Sequence, residues 1–349
     1  MTKKTNELNE VKEKNQTTKD GECVIYIDLG NFYYKLIYDN GTKRSYDYSN
    51  VERVKAGTDG SFQINEESYI FGPNAKIKYD TNKICEEKKA LLARALYSVV
   101  DDKAKVRVVT LLPLSLYINT EDGNKEAFAQ LLKDKYTVTN PEGYKKTFTI
   151  TDVEVYCESF VSIITERTLM NKPLYLLDLG GVDWSGVFVY GRPDANKKFN
   201  NTTGMNMFYS KLGDRLTSAT RKTYDPINAR LTFEKYSVME MKDLESIKDE
   251  AKRERAKNIK TIIDAFAVDY IDKNIYEELN KIGYDEDIYS LVFVGGGAEA
   301  LRKYLEKDEN ATIVKDAVYS NVEGAKRMSI ARAQRKASVQ SQSKVGVAK

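Results

Sequence analysis

Histidine is absent from this sequence of 349 residues, and cysteine occurs only 3 times. Without histidine, Ser-His-Asp and Cys-His nucleophile arrangements and the commonest metal ligand are excluded, so any chemistry has to use carboxylates, lysines and the backbone. Cys23, Cys85 and Cys157 are far apart, which excludes the close pairs of a zinc or redox motif and favours a reducing cytoplasm. No apolar run reaches the roughly 18 residues of a membrane span, so we expect a cytoplasmic protein without a membrane partner.

Excess charge of one sign is also lacking, because 55 basic residues face 52 acidic ones and the net charge is +3. This balance gives no reason to expect nucleic acid over the whole surface, and we expect no direct sequence-specific DNA binding. The one local exception is the C-terminal run from Lys326 to Lys349, which contains cations and no acid. A solvated helix end explains that run better than an anionic partner does, since cations suit a helix C-terminus.

What the sequence does contain is enough apolar residues, 41%, for buried cores, and a length that predicts roughly two domains. Residues 1–21 are polar and without periodicity, and we expect a flexible arm there. The first ordered unit is a hairpin, in which the apolar strand Cys23 to Ile27 leads through Asp28 to Asn31 into the alternating strand Phe32 to Tyr38. Further strands are predicted at Val106 to Leu111, Thr147 to Thr151 and Val153 to Tyr156, with helices at Glu126 to Lys133 and from Glu158.

The same strand-turn-strand pattern returns roughly 150 residues later. Leu174 to Leu177 predicts a buried strand, Asp178 to Gly181 a turn and Gly186 to Tyr190 the returning strand. Because this spacing is far too long for a solenoid repeat, we interpret it as two copies of one domain that face each other. The remaining predicted elements are a charged helical tract from Met241 to Ile271, a strand from Tyr289 to Val294, a helix from Glu299 and a final helix from Val322 to Ala337.

Both turns carry glycine after a buried strand, as Gly30 and as Gly180 with Gly181. A turn of this kind lets backbone amides approach an anion without an intervening Cβ, which is how phosphates are cradled. Asp28 and Asp178 close the preceding strands and are suited to hold Mg²⁺ through its waters. Each Asp-x-Gly alone is a common turn, so the hypothesis depends on the pair at equivalent positions.

Three further features are ambiguous by themselves. Lys35 lies on the strand that follows the first turn. Its side chain can reach back to a phosphate, or it can be a solvated lysine of that strand. The run Gly295 to Gly297 permits close approach to a base or ribose, or it is a tight strand-to-helix connection. Glu158 is the natural carboxylate to orient a water in the absence of histidine, or it is a charge that suits a helix N-terminus.

Taken in order, these motifs resemble those of the actin-like ATPases, in particular the ParM-type actins that segregate plasmids. The likeness spans roughly Val24 to Lys336, and no single motif is specific without the others. The matching segments are Asp28-Leu29-Gly30-Asn31 with Lys35, Leu111 to Ser115, Glu158 to Phe160, Leu177 to Gly181, Gly204 to Asn206, Val294 to Glu299 and Asn321 to Gly324.

The resemblance implies an α/β fold of the actin/Hsp70 type, with two duplicated RNase H-like lobes around a nucleotide cleft. The expected division is residues 22–171, completed by the helix 321–337, for the first lobe, 172–320 for the second and 338–349 for a flexible basic tail. The resemblance also implies that Asp28 to Asn31 and Asp178 to Gly181 bind phosphates and that Gly204 and Gly295 to Ala298 contact the nucleoside. In catalysis it implies that Glu158 positions the water, and Asp178 is also expected to be catalytic.

The same resemblance implies ATP or GTP as substrate with Mg²⁺, head-to-tail self-assembly into filaments, and a ParR-like DNA-binding adaptor on a centromere-like plasmid site. Two departures bear on the chemistry, because Asn31 replaces the usual Ser or Thr and Val182-Asp183-Trp184 replaces a Thr-rich end of the second turn. The alternatives are a non-polymerising actin-fold ATPase or a sugar-kinase-like phosphotransferase, and a nucleotide-binding scaffold that assembles but hardly hydrolyses.

Overall fold

The structure, a computed structural model, describes residues 22–38, 41–76, 82–118, 122–164 and 167–345. The predicted arm, residues 1–21, lies outside the described residues, as do the last four residues of the predicted tail. Two β-sheets organise the described chain into two lobes, and each sheet has its own hydrophobic core. The mixed α/β architecture with two lobes confirms the predicted fold class.

The first lobe is built on a sheet of nine strands among the described residues. These are β1 Glu22–Asp28, β2 Tyr33–Tyr38, β3 Lys43–Tyr48, β4 Val51–Val54, β5 Phe62–Ile64, β6 Glu67–Phe71, β7 Lys105–Leu112, β8 Lys135–Thr139 and β9 Lys145–Cys157. Their order in the sheet is β3-β2-β1-β7-β9-β8-β5-β6-β4. The second sheet contains β10 Leu174–Leu179, β11 Trp184–Tyr190, β12 Arg192–Asn201, β13 Ser290–Val294 and β14 Ala311–Ile313, in the order β12-β11-β10-β13-β14.

Helices cover the sheets and connect their strands. In the first half of the chain they are α1 Glu86–Tyr97, α2 Leu114–Ile118, α3 Asn124–Leu132, α4 Phe160–Ile163 and α5 Arg167–Met170, with a 3₁₀ turn at Gly72–Asn74. In the second half they are α6 Met205–Thr220, α7 Pro226–Tyr236, α8 Met241–Glu245, α9 Glu250–Ile271, α10 Glu277–Lys281, α11 Gly296–Leu305 and α12 Ser320–Val345, with a π turn at Asp272–Tyr276 between α9 and α10.

The centres of the two sheets repeat the same arrangement. In the first sheet β1 pairs antiparallel with β2 and parallel with β7, and in the second β10 pairs antiparallel with β11 and parallel with β13. β1 and β10 are central strands, which explains why both read as nearly continuous apolar runs. The predicted duplication is therefore confirmed, and it places the two turns at the same end of each sheet's central hairpin.

Several predicted element boundaries were wrong. The predicted strands from Thr147 and from Val153 form one strand, β9, with a register shift opposite Val106 and Arg107. The predicted tract from Met241 is broken into α8 and α9, because the side chain of Asp249 accepts a hydrogen bond from the Lys252 amide and starts a new helix there.

The final helix, α12, lies against β1, β7 and α4. It continues to Val345, past the predicted end at Ala337, so part of the predicted tail is helical. Gly324 allows its close contact with α4, since a Cβ there would clash with the Val161 carbonyl. No helix within the described ranges is long and apolar enough to cross a membrane.

Candidate functional site

A cavity of about 880 Å³ lies between the two lobes. Its walls come from the turns of both central hairpins, the ends of β9 and β13, and helices of the second lobe. The predicted site residues that line it are Gly30, Asn31, Lys35, Glu158, Asp178, Gly180, Gly181, Gly295, Gly296 and Gly297. The structure therefore brings residues from both halves of the chain into one cleft.

The first turn holds Asp28 beneath the cavity wall, with 1% of the residue exposed. Its Oδ2 accepts a hydrogen bond from Lys35 Nζ at 3.2 Å, and the ammonium of Lys83 lies 3.7 Å from Oδ1. Burial alone would raise the pKa of Asp28, but these two cations outweigh it and hold the pKa below its usual value. Gly30 is required here, because a Cβ would clash with the Tyr33 carbonyl.

Two buried oxygen atoms of this turn have no hydrogen-bond partner among the described residues, Asp28 Oδ1 and Asn31 Oδ1. Buried acceptors are almost always satisfied, and each exception needs an explanation. Both atoms belong to the turn that faces the cavity, so a bound ligand, ion or water would satisfy them. The replacement of the expected hydroxyl by Asn31 therefore leaves a polar group at the site.

Glu158 follows β9 and reaches the cavity beside Lys83. Lys83 Nζ donates a hydrogen bond to Glu158 Oε2 at 2.7 Å, and its own side chain is 2% exposed. Burial raises the pKa of Glu158 to about 7, against the opposing effect of Lys83 and together with the nearby Asp28 and Asp178 carboxylates. The prediction that Glu158 begins a helix was wrong, because α4 begins at Phe160 and Ser159 between them has a φ of 64°.

Lys88 supports the first turn from behind. It lies on α1 with its side chain buried, and its Nζ donates to the carbonyls of Leu29 at 3.0 Å and Gly30 at 2.9 Å. Burial, and then the positive charge of Lys83, lower the pKa of Lys88 to about 7. The turn is thus backed by a buried amine in addition to the apolar packing of Leu29.

Neither Lys83 nor Lys88 was among the predicted site residues. A signal for Lys88 exists, because it falls at helical spacing with the buried Leu91, Leu92 and Ala95, so a polar group lies on the core face of α1. Lys83 precedes that helix and has no pattern around it. Its position becomes visible only when residues 75 apart in sequence meet, as Lys83 and Glu158 do.

The second turn meets the first directly. Gly181 faces Phe32, and a Cβ on Gly181 would clash with the Phe32 side chain. The Gly180 amide donates to the Asp183 carbonyl at 3.0 Å and closes the turn. Asp183 also lines the cavity, and burial, followed by repulsion from Asp178, raises its pKa.

Asp178 ties the second turn to the first lobe. Its Oδ2 accepts hydrogen bonds from Ser159 Oγ at 2.8 Å and from Asn321 Nδ2 at 3.0 Å. Asn321 Oδ1 in turn accepts from the Ser159 amide at 2.9 Å. Because Ser159 follows Glu158, this network fixes the backbone beside the predicted water-orienting carboxylate.

Trp184 points away from the cavity, which explains how a bulky residue follows a glycine turn. Its side chain is fully buried in the core of the second lobe, edge-on to Tyr270 at 5.4 Å between ring centroids. Its Nε1 donates to the Gly180 carbonyl at 3.2 Å, so the indole holds the turn from the core side.

The predicted nucleoside contacts divide into cavity-facing and supporting residues. Gly296 lines the cavity and has open space where a Cβ would be, whereas Gly295 has a φ of 91° and a Cβ there would lie 2.5 Å from Asp178 Oδ1. Ala298 is fully buried in the core. Gly204 is buried against the backbone of the second turn, and neither it nor Ala298 is part of the cavity wall that the structure describes.

At one end the cavity reaches solvent between Tyr46, which is 62% exposed, and α7. Arg230 on α7 donates a hydrogen bond from Nη1 to the Tyr33 hydroxyl at 2.6 Å, and its Nε pairs with Glu234 at 2.7 Å. Tyr33 belongs to β2 of the first lobe, so this contact bridges the lobes at the cavity mouth.

The donor set fits a polyanion accompanied by a hard cation. Lysine ammonium groups, glycine-turn amides and unpartnered oxygens surround the cavity, and carboxylates from both lobes face it. In the part of the chain that the structure describes, no group of three or more His, Cys, Asp or Glu side chains is placed to hold a metal ion directly. Any cation would therefore be held with help from water or from the ligand itself.

The comparisons agree with this geometry. Residues 27–160 match the family model described as the actin-like proteins N-terminal domain. No curated protein matches the sequence significantly. Among solved structures, the actin-like protein Alp7A superposes with a TM-score of 0.71 at 15% identity, over 92% of this chain and 100% of that one.

The archaeal actin homologue Ta0583 superposes with a TM-score of 0.63 at 20% identity, over 88% of this chain and 99% of that one, and it is also known in complex with ADP. A 15-stranded ParM filament from Clostridium botulinum has a TM-score of 0.57 at 16% identity, over 88% of this chain and 99% of that one. These structures establish the fold over about nine-tenths of the chain, and the family model matches most of the first half of the chain. The chain has the two-lobed actin-like fold, and its residues 27–160 match the model of the actin-like proteins N-terminal domain.

Proposed function

We propose that this chain binds a nucleoside triphosphate, ATP or GTP, with Mg²⁺ in the cleft and hydrolyses it slowly. The observation that carries the proposal is the contact of the two glycine turns, Phe32 against Gly181, beside a cavity of about 880 Å³. Neither turn alone encloses a ligand, and together they place glycine backbone from both lobes at the cavity wall. Asp28 Oδ1 and Asn31 Oδ1, which have no hydrogen-bond partner among the described residues, support a cation, water or hydrogen-bond donor of a ligand at that point.

In this proposal the amides of both turns and Lys35 hold the phosphates, and Gly296 lies against the nucleoside. Gly204 and Ala298 do not contact the nucleotide in this proposal and support the residues that form the cavity wall. The first lobe comprises residues 22–171 together with the helix 321–337, and the second lobe comprises residues 172–320. Asp28 and Asp178 would hold Mg²⁺ through water, and when bound the ion neutralises phosphate charge.

Glu158 orients the attacking water and accepts its proton, since among the cavity-lining carboxylates outside the two turns it is the one beside Asp28 and Asp178. Asp178, also assigned to catalysis, fixes Ser159 and thereby the backbone next to Glu158. Phosphoryl transfer to water requires mainly positioning and charge stabilisation, which fits a site made of ammonium groups and amides.

We further propose head-to-tail assembly into filaments that move plasmid DNA in the cytoplasm, through a ParR-like adaptor bound to a centromere-like site. The support is the likeness of the fold to actin homologues, among them a ParM filament. Contacts between two non-identical surfaces propagate without closing, which is the geometric condition for a filament. The basic end of α12 stays a solvated helix end in this proposal.

Sedimentation tests assembly and nucleotide dependence together. The purified chain with Mg²⁺ and ATP, or with GTP, should pellet above a critical concentration and remain soluble without nucleotide. A chain that stays monomeric with either nucleotide at several salt concentrations, yet hydrolyses it, would support the non-polymerising ATPase or phosphotransferase instead. Pelleting without phosphate release would support a scaffold.

Calorimetry tests the two-turn site. Asp178→Ala should weaken binding of the Mg-nucleotide sharply, because one of the two carboxylates proposed for the metal is removed. Asp178→Asn is the matched control for structure, since an amide oxygen can still accept from Ser159 Oγ while the charge is lost. Unchanged affinity in both variants would refute a site shared between the turns.

A further inference from the structure

Lys83 contacts two residues of the proposed site but has no role in the hydrolysis proposed above. It lies immediately before α1, and its ammonium is enclosed between the carboxylates of Glu158, at 2.7 Å, and Asp28, at 3.7 Å. Although the side chain is 2% exposed, Lys83 also lines the cavity. A buried charge is tolerated only when paired, and here the pairing partner is the residue proposed to orient water.

In the described part of the chain, the Glu158 carboxylate and the Glu158 backbone are held by different groups. The backbone amide is fixed by a hydrogen bond to the Leu112 carbonyl at 2.7 Å, and the following residue, Ser159, is fixed by Asn321. The side chain, in contrast, accepts its hydrogen bond from Lys83. The backbone at Glu158 is therefore set by the first sheet and α12, and the carboxylate is set by Lys83.

We propose that Lys83 is a positioning residue for hydrolysis, which acts through Glu158 by holding its carboxylate in one orientation at the cavity wall. This inference rests on the proposed nucleotide hydrolysis. Asp28 forms the other end of the same contact, so Lys83 also links the first phosphate turn to the water-orienting group. The position of Glu158 is in this way fixed relative to a nucleotide that is bound at the first turn.

The charges around Glu158 support this role. Burial and the carboxylates of Asp28 and Asp178 raise its pKa to about 7, and Lys83 opposes them. Lys88, behind the turn, is a second buried amine nearby, and its own pKa is lowered to about 7. Because Lys83 lowers the pKa of Glu158, its removal would favour the protonated carboxyl, which cannot accept a proton from water.

A double-mutant cycle tests whether Lys83 acts through Glu158. Lys83→Met and Glu158→Gln should each slow single-turnover hydrolysis by roughly 10²-fold or more, and the double variant should be no slower than the slower single variant. Nucleotide affinity is measured separately with a non-hydrolysable analogue. Lys133→Met, on the exposed end of α3, is the charge-matched control and should hydrolyse at the wild-type rate.

Rate losses that multiply in the double variant would overturn the proposal, because Lys83 would then act independently of Glu158. A wild-type rate in Lys83→Met would also overturn it. Should Lys83→Met fail to fold because it leaves the Glu158 carboxylate without its partner, the comparison of Glu158→Gln with Lys83→Met/Glu158→Gln still decides, and the proposal requires equal rates.

A second readout needs no nucleotide and separates this inference from the proposed function. Carboxyl ¹³C NMR of the nucleotide-free protein should show Glu158 titrating near 7, a signal absent in Glu158→Gln, and Lys83→Met should move that pKa upward. An unmoved pKa overturns the contact itself. An upward shift in Lys83→Met, found together with a wild-type protein that hydrolyses no nucleotide, would retain the contact, while the proposed hydrolysis and the positioning role of Lys83 would both fall.

Discussion

Tyr33 and Arg230 join the two lobes at the mouth of the cleft, where Arg230 Nη1 donates to the Tyr33 hydroxyl at 2.6 Å. Tyr33 follows the first turn on β2, and Arg230 lies on α7 of the second lobe, so the bond must break if the lobes separate there. The guanidinium also lies over the Tyr33 ring, at 5.8 Å from its centroid. The contact is therefore a latch between the lobes rather than part of either core.

Tyr33→Phe should accelerate nucleotide release. The variant removes the hydrogen bond and keeps the ring, and a bond of this kind contributes roughly 0.5–1.5 kcal/mol, or about 2- to 10-fold in rate if it is fully lost on opening. Stopped-flow dissociation of a fluorescent nucleotide measures the effect. Tyr144→Phe, at a tyrosine that is 71% exposed, is the control and should release nucleotide at the wild-type rate. Equal rates in both variants would mean that the latch does not limit opening.

Gly296 and Gly297 should respond in opposite ways to alanine. A Cβ on Gly297 would lie 2.6 Å from the Leu179 carbonyl, so Gly297→Ala should lower the free energy of unfolding by about 1–3 kcal/mol. A Cβ on Gly296 meets nothing within 4 Å, so Gly296→Ala should leave stability within about 0.5 kcal/mol and weaken nucleotide binding by projecting into the cavity. Urea denaturation and calorimetry on both variants check this, and unchanged affinity in Gly296→Ala would move the nucleoside elsewhere.

Trp184→Phe should destabilise the protein by about 1–3 kcal/mol. The smaller ring leaves part of the buried indole volume empty beside Tyr270, and the Gly180 carbonyl loses its hydrogen bond. Because that carbonyl also accepts from the Met205 amide at 3.1 Å, the turn should loosen without unfolding. Denaturation followed by circular dichroism measures the stability, and an unchanged midpoint would show that the indole is not holding the turn.

The parts of the site that sequence could predict are those determined by short stretches of chain. A buried strand, an Asp-x-Gly turn and a returning strand are local patterns, and their repetition at Asp28 and Asp178 gave both turns and the duplication. Which residues of the other motifs face the cleft could not be predicted in the same way. Gly204 and Ala298 belong to motifs that occur beside the site, yet packing against the second turn and the core puts them behind its wall.

Residues that act across the fold escaped prediction for a physical reason. Lys83 and Arg230 are ordinary charged residues until another element meets them, and their partners Glu158 and Tyr33 lie on other elements. The run of glycines shows the same limit, since only the three-dimensional neighbours distinguish the open Gly296 from its crowded neighbours. The sequence pattern predicted the backbone elements of the site, whereas long-range contacts determine how its charged side chains are paired.

Lys88 should make the stability of the protein depend on pH above neutrality. Its pKa is about 7 in the folded protein, because burial and Lys83 disfavour the ammonium, against about 10.4 in an unfolded chain. Between these values the unfolded chain binds a proton that the folded chain does not, so this group makes the free energy of unfolding rise with pH from about 7 to about 10. Lys88→Met removes the titrating group and should lack that part of the rise.

The measurement is the difference in unfolding free energy between wild type and Lys88→Met in urea at several pH values from 6 to 10, with Lys133→Met as the control. The difference should grow in favour of wild type as pH rises, since a neutral amine still donates to the Leu29 and Gly30 carbonyls without the cost of a buried charge. A difference that stays constant would contradict the lowered pKa and mean that the two carbonyls keep Lys88 charged. In that case its positive charge would lie permanently behind the first turn and would favour a bound phosphate at every pH tested.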